Sequence, residues 1–281
     1  MKKCILVVNK YKESAVLLAK KVIQFLSSNG IGCKEFFFSG DERVPSFEGC
    51  DFAVTLGGDG TVLLAARKCA PLKIPVFPIN FGEFGFIAGI DRNEWEEKLK
   101  LFLQDELLIA ERSLIQIEVF RNKRRVFSSL ALNDAVIKSA GRRVQLADLK
   151  VSCNDQDFGK FRADGIIVST PTGSTAYSAA SGGPIVDPSL DAIIFNPICA
   201  LSLSNRPIVL SSESVLSVEI MESRGADIVL SCDGQAAFAL KADDSVKIAR
   251  SQNKALLAGC GNDVFYTALR SKLGWSGGPH G

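Results

Sequence analysis

The pattern of apolar and polar positions changes its period near residue 105. Before that point, short and wholly apolar runs alternate with amphipathic stretches. Cys4–Val8, Cys33–Phe38, Asp51–Leu56 and Ile74–Asn80 read as buried strands, the last with prolines that make its ends irregular. Between them, residues 12–29 put Leu18, Val22, Phe25 and Leu26 on one helical face and stop at Gly30. Thr61–Cys69 reads as a second helix, and Asp91–Leu103 as a third with Trp95, Leu99, Phe102 and Leu103 at core spacing. Such alternation predicts a parallel sheet with right-handed crossovers, whose ligands bind at the carboxyl ends of the strands.

Beyond residue 105 the pattern is that of strands. Leu114–Phe120 and Val126–Ile137 bracket Asn122-Lys123 as a hairpin, and further runs fall at 147–153, 161–169, 193–195, 198–203, 214–221, 226–232 and 244–250. One exception is the Ser/Thr/Gly-rich stretch 169–183. Helical spacing returns at Asn262–Leu273, with Phe265, Leu269 and Leu273 on one stripe. The expected fold class is therefore α/β plus all-β. A Rossmann-like parallel-sheet domain spans 1–104, with a helix inside 256–273 packing back onto it, and a β-sandwich domain spans 105–255. Residues 274–281 read as a flexible tail.

Composition narrows the chemistry by exclusion. Net charge is 33 − 31 = +2, and the densest basic cluster, Arg121–Arg125, reads as a hairpin tip, so no nucleic-acid partner is expected. The eight cysteines form no C-x-x-C pair and the single histidine is His280, which removes ordinary zinc motifs, Cys-His catalysis and a Ser-His-Asp triad. Proton transfer must then fall to Asp, Glu, Lys or Tyr. Scattered, unpaired cysteines fit a reducing cytoplasm. The apolar run after Lys2-Lys3 ends within five residues at Asn9, too short for a signal peptide or a membrane span, so no membrane partner is expected.

Three stretches carry chemistry. Gly57-Gly58-Asp59-Gly60-Thr61 follows a strand and opens a helix. Glycine-rich turns in that position hold phosphate through bare amides and the positive helix end, yet here the centre is a carboxylate. Its plain reading is a tight turn with Asp59 as helix cap; its functional reading is a donor-phosphate loop with Asp59 turned to an acceptor. A second loop, Asn80-Phe81-Gly82-Glu83-Phe84-Gly85-Phe86, also follows a strand. The third, Asp164 to Ser178, packs seven hydroxyls into Ser169–Ser178, which suits either a capped turn or the sugar and amide groups of a nucleotide. Asn133 and Asp134 form a polar pair within an apolar strand, where a carboxamide can read an adenine edge and a carboxylate can accept from ribose; the plain alternative is a β-bulge. Asp233-Gly234-Gln235 reads as a hairpin turn, and Arg162 with Asp164 as an ion pair on one strand face.

In this order the motifs resemble those of the NAD kinase family. The likeness rests on Gly57–Thr61, Asn80-x-Gly82-x-x-Gly85-Phe86, Leu132–Asp134, Asp164 to Tyr177, Arg206–Val209 and Asp233–Gln235. Gly-Gly-Asp-Gly alone is shared with lipid kinases and phosphofructokinases; the hydroxyl-rich segment is the specific part. The resemblance implies transfer of phosphate from ATP, with Mg²⁺ or another divalent cation, to the 2′-hydroxyl of the adenosine ribose of NAD. It implies Asp59 as general base, with Gly57, Gly58, Gly60 and Thr61 holding donor phosphates. It implies that Asp59, Gly60, Asn133, Asp134, Arg162, Asp164, Thr172, Thr175, Ala176, Tyr177, Ser178, Ala179, Ala180 and Gln235 line the NAD site of the β domain and its surroundings. The family usually has Glu where this chain has Asp134, one methylene shorter. Homodimers or homotetramers are typical of it, and no metal ligand is assigned. Two alternatives stay open, a lipid or sugar kinase with the same loop and a non-catalytic NAD-sensing module.

Overall fold

The computed structural model describes residues 1–39, 44–81, 85–140, 145–202, 204–222 and 227–275. The chain runs β1 (Lys3–Asn9), α1 (Glu13–Ser28), β2 (Gly32–Phe38), β3 (Phe52–Gly57), α2 (Asp59–Cys69), β4 (Val76–Asn80), β5 (Ile90–Asp91) and α3 (Trp95–Leu103). It continues through β6 (Ile109–Arg121), β7 (Arg124–Ala131), β8 (Asp134–Ser139), β9 (Ala147–Cys153), β10 (Gln156–Ala163), β11 (Gly165–Ser169) and the four-residue α4 (Tyr177–Ala180). It ends with β12 (Ala192–Ile198), β13 (Ile208–Ser211), β14 (Leu216–Ile220), β15 (Ile228–Cys232), β16 (Ala236–Leu240), β17 (Ser245–Ala258) and α5 (Asn262–Leu273). Two compact units result, Met1–Arg112 with Asn253–Gly281, and Ser113–Gln252.

The first unit is α/β. Its strands are parallel in the order β4-β3-β1-β2, with β5 and the last residues of β17 paired to β4. Successive residues Cys4–Val8 have no exposed surface, so both faces of the sheet are covered, which is why these strands read as unbroken apolar runs. Phe25 and Trp95 meet edge to face within the same core, and Phe102 lies against Phe52 and Phe77. Strand order reverses between β1 and β3, the switch point at which sheets of this type open a crevice. The third helix begins at Trp95 and not at Asp91, because Asp91 pairs in β5 and its side chain accepts from Asn93 N–H at 2.7 Å in a turn.

The second unit is a sandwich. One layer is the antiparallel sheet β13-β12-β11-β8-β15-β16; the other holds β10-β9-β14 with the first part of β17, and the β6–β7 hairpin. Their inner faces meet in a core that includes Ile117, Ile137, Leu149, Phe195, Val218 and Leu230. Four expected runs are bounded differently. Residues 126–137 break into β7 and β8 at Leu132-Asn133, whose amides bond the Asp233 carboxylate in place of a strand partner. The run 161–169 breaks at Asp164, so that β10 and β11 enter different sheets. A single β12 replaces the runs 193–195 and 198–203, and it ends where Cys199 turns left-handed at φ 45°. β13 and β16 are strands the pattern did not mark.

Candidate functional site

In the first unit the carboxyl ends of three neighbouring strands, Asn9, Gly57 and Asn80, carry the loops of interest. Helix α2 starts at Asp59, two residues ahead of the expected start, and its N-cap is Gly58 with no side-chain cap. The Asp59 carboxylate does other work. Phe86 N–H donates to its Oδ2 at 3.2 Å and Ala88 N–H to its Oδ1 at 3.1 Å. A carboxylate thus crosses from the first glycine loop to the second and is fixed there by two backbone amides. Gly85 makes room for it: a Cβ at that position would stand 2.1 Å from Oδ1. The loops are tied a second time, as Phe81 N–H donates to Gly57 O at 2.8 Å. Behind the second loop, Phe86 packs on Phe265 of α5 at 6.2 Å.

Lys12 also comes to this end of the sheet. Its Nζ donates to Phe81 O at 2.7 Å and lies 3.9 Å from where a Cβ of Gly58 would be. Sequence reading passed over Lys12, which is 45 residues before Gly57 in a polar segment. The signal available was its place directly after β1, on the strand adjoining β3. Gly82, with residues 83 and 84, lies outside the described residues; Asn80, Gly85 and Phe86 are described.

In the second unit a cavity of about 270 Å³ is lined by Asn133, Asp134, Val136, Lys138, Ala176, Tyr177, Ser231, Asp233 and Gly234. Asp233 builds its floor. Its carboxylate accepts from the amides of Leu132 (3.0 Å), Asn133 (2.7 Å) and Asp134 (3.2 Å), while its own N–H donates to Asp134 O at 2.9 Å. Burial, with the Asp233 charge as a smaller contribution, pushes Asp134 up to about 7. Asn133 is pressed from the other side: Thr170 N–H and Ser169 Oγ–H both donate to its carbonyl, and a Cβ on Gly173 would stand 2.1 Å from that same oxygen. Val136 and Lys138 follow Asp134 at period two along β8, so the alternation of that strand held the clue to both.

The hydroxyl-rich segment spends most of its hydroxyls inward. Ser169 and Thr170 donate to the carbonyls of Asn133 and Leu132, and Ser174 Oγ bridges Val186 O (3.1 Å) and Val186 N–H (3.0 Å). Ser178 is fully buried, with Asn196 Nδ2 donating to its carbonyl at 3.0 Å. These side chains shape the turn, and Ala176 with the half-exposed Tyr177 is what it presents to the cavity. Thr172, Thr175, Ala179 and Ala180 sit in the same short helical turns without lining it. Arg162 and Asp164 do not pair as expected; Arg162 reaches Asp148 across β9–β10 at 3.7 Å, and both Arg162 and Asp164 are exposed. Gln235 closes the exposed turn after Asp233, its N–H donating to Cys232 O.

Comparison with known proteins agrees in both units. A family model described as ATP-NAD kinase N-terminal domain matches residues 42–107, and one described as ATP-NAD kinase C-terminal domain matches residues 132–259. A protein of Treponema denticola named NAD kinase is 48% identical over 278 residues, covering 99% of this chain and 98% of the relative. The NAD kinase of Treponema pallidum (strain Nichols) is 46% identical over 276 residues, covering 98% and 90%. Among solved structures, yeast NADH kinase complexed with NADH has a TM-score of 0.86 at 20% identity, covering 98% of this chain and 88% of its own. An NAD kinase from Archaeoglobus fulgidus in complex with ATP has 0.76 at 24%, covering 96% and 98%. At those identities the likeness to the two structures is one of fold.

Proposed function

The chain belongs to the NAD kinase family, and on that premise we propose a residue-level division of labour for the phosphorylation of NAD by ATP. Asp59 is the general base that takes the proton of the attacking ribose 2′-hydroxyl. The loop Gly57, Gly58, Gly60 and Thr61 receives the donor phosphates at the start of α2, where amides and helix dipole favour an anion. Lys12 supplies the cation that the loop's own sequence lacks. The cavity of Asn133, Asp134, Ala176 and Tyr177 takes the adenosine, and the family pattern assigns Arg162, Asp164, Thr172, Thr175, Ser178–Ala180 and Gln235 to the rest of NAD.

One observation carries this reading: Asp59 is held by two loop amides and is not spent as a helix cap. Phosphoryl transfer asks mainly for positioning and charge neutralisation, with a carboxylate to accept the nucleophile's proton, and a fixed Asp meets that need without histidine. Among the described residues no three His, Cys, Asp or Glu side chains gather as a metal cage. Mg²⁺ held by phosphate oxygens and water would neutralise the donor's charge. Free thiols at all eight cysteines support a cytoplasmic setting, and among the described residues no helix is long and apolar enough to cross a membrane. The edge strand β13 exposes Ile208 and Val209, which supports assembly into a homodimer or homotetramer.

The test is Asp59→Asn assayed for NADP formation, with NAD binding followed by its effect on the melting temperature. Turnover is expected to fall at least a hundredfold while NAD still raises Tm. Near-wild-type turnover in the variant would remove Asp59 from the mechanism.

A further inference from the structure

At the amino end of the parallel sheet, away from the glycine loops, a cavity of about 340 Å³ is lined by Cys4, Cys33 and Cys50 together with Lys3, Lys34 and Glu48. Cys4 on β1 and Cys33 on β2 are direct partners in the parallel register. Adjacent strands stand about 4.8 Å apart, inside the Cα separation that a disulfide spans. The two thiols differ in access. Cys4 has no exposed surface, whereas Cys33 is partly exposed at the cavity. Nothing in the phosphoryl-transfer scheme uses either one. Cys4 lies five residues before Asn9, roughly 16 Å from the loops along β1.

We propose that Cys4 and Cys33 form a reversible peroxide-oxidation site, with Cys33 as the sulfur attacked first and Cys4 as the resolving thiol. The neighbouring Cys4 side chain holds the Cys33 thiol below its ordinary range, while burial raises Cys4 well above it. Thiolate character and access both select Cys33 for the first step. Its sulfur forms a bond to one peroxide oxygen as the O–O bond breaks, and the other oxygen leaves as water after taking a proton. The Cys4 sulfur then attacks the Cys33 sulfenic sulfur; the S–S bond forms, the S–O bond breaks, and a second water carries off the Cys4 proton. Two thiols and one peroxide thus give one disulfide and two waters. The cross-link closes before Cys33 can pass to the irreversible acids.

The experiment treats the full-length protein with hydrogen peroxide in slight excess and maps its peptides by mass spectrometry without reduction. A Cys4–Cys33 linked pair, lighter by about 2 Da than the separate thiols and restored by dithiothreitol, is expected in the wild type and in Cys50→Ser. Cys33→Ser should lose the link, and Cys4→Ala should accumulate a dimedone-trapped sulfenic acid at Cys33. Linkage of Cys33 to Cys50, or a Cys33 that stays reduced while the exposed Cys199 is consumed, would overturn the proposal. A Cys33 that runs to sulfinic acid in the wild type would overturn it as well.

Discussion

Gly85→Ala tests the bridge between the two glycine loops with one added carbon. The new Cβ would stand 2.1 Å from Asp59 Oδ1, 2.9 Å from its Cγ and 3.2 Å from Oδ2. Contact distances of 3.0 Å or more require Oδ1 to move by about 1 Å, while Gly85 itself is not left-handed, so alanine brings no backbone penalty. The displaced carboxylate cannot keep both the 3.1 Å and 3.2 Å bonds from Ala88 and Phe86. Hydrogen bonds to charged groups contribute about 1.5–3 kcal/mol each, part of which water restores at a half-open loop, leaving a net loss on the order of 2 kcal/mol of stability. The catalytic cost is larger in relative terms, because misplacing a reacting group by about 1 Å reduces rate on the order of a hundredfold. The assay is NADP formation read through an NADP-specific dehydrogenase, with KM for both substrates and Tm measured in parallel. We expect kcat to fall about a hundredfold, KM values to stay within a few-fold, and Tm to drop by several degrees. In a double-mutant cycle with Asp59→Asn, the second change should add little. Unchanged kcat with an intact fold would show that the position of Asp59 against the second loop does not matter to the reaction.

The other predictions concern charge and assembly. Lys12→Met should raise KM for ATP about tenfold or more with a smaller effect on KM for NAD; equal effects on the two would place Lys12 outside the donor subsite. Asp134, raised to about 7 from an ordinary 3.8, keeps its proton when folded over a range where the unfolded chain has released it. Its contribution to stability is therefore complete below pH ~4 and is lost as pH rises through about 7, by up to about 4 kcal/mol. Asp134→Asn should accordingly flatten Tm against pH between 4 and 8 and melt higher than wild type at pH ~8, as scanning calorimetry would read; parallel profiles would refute the assignment. Light scattering should return two or four times the 30.2 kDa chain mass, and a monomer would remove the assembly proposal.

How much was legible in the sequence follows from where each interaction comes from. The parallel strands could be read because burial on both faces leaves continuous apolar runs such as Cys4–Val8. The breaks at Leu132-Asn133 and at Asp164 could not, since the partner of the Asn133 amide is Asp233, 100 residues away. The glycine of the second loop was visible, but its reason was not: Gly85 is small because a carboxylate 26 residues earlier needs the space. Hydroxyls from Ser169 to Ser178 looked like ligand donors by their density. Four of them, on Ser169, Thr170, Ser174 and Thr175, instead donate to backbone carbonyls of the chain itself, an allocation set by the fold.

The division into units has a consequence for the order in which the chain can be completed during synthesis. Everything unit two contains, Ser113–Gln252, has been made by the time its last strand is under way. Unit one must wait for later residues. Leu257 pairs with Val76, Cys260 O accepts from Arg112 at 2.6 Å while its thiol donates to Ile87 O, and Phe265 covers Phe86 behind the Asp59 bridge. Emerging from the ribosome, the half of the protein that begins first is therefore the half that finishes last, and its second glycine loop gains its backing only with the final helix.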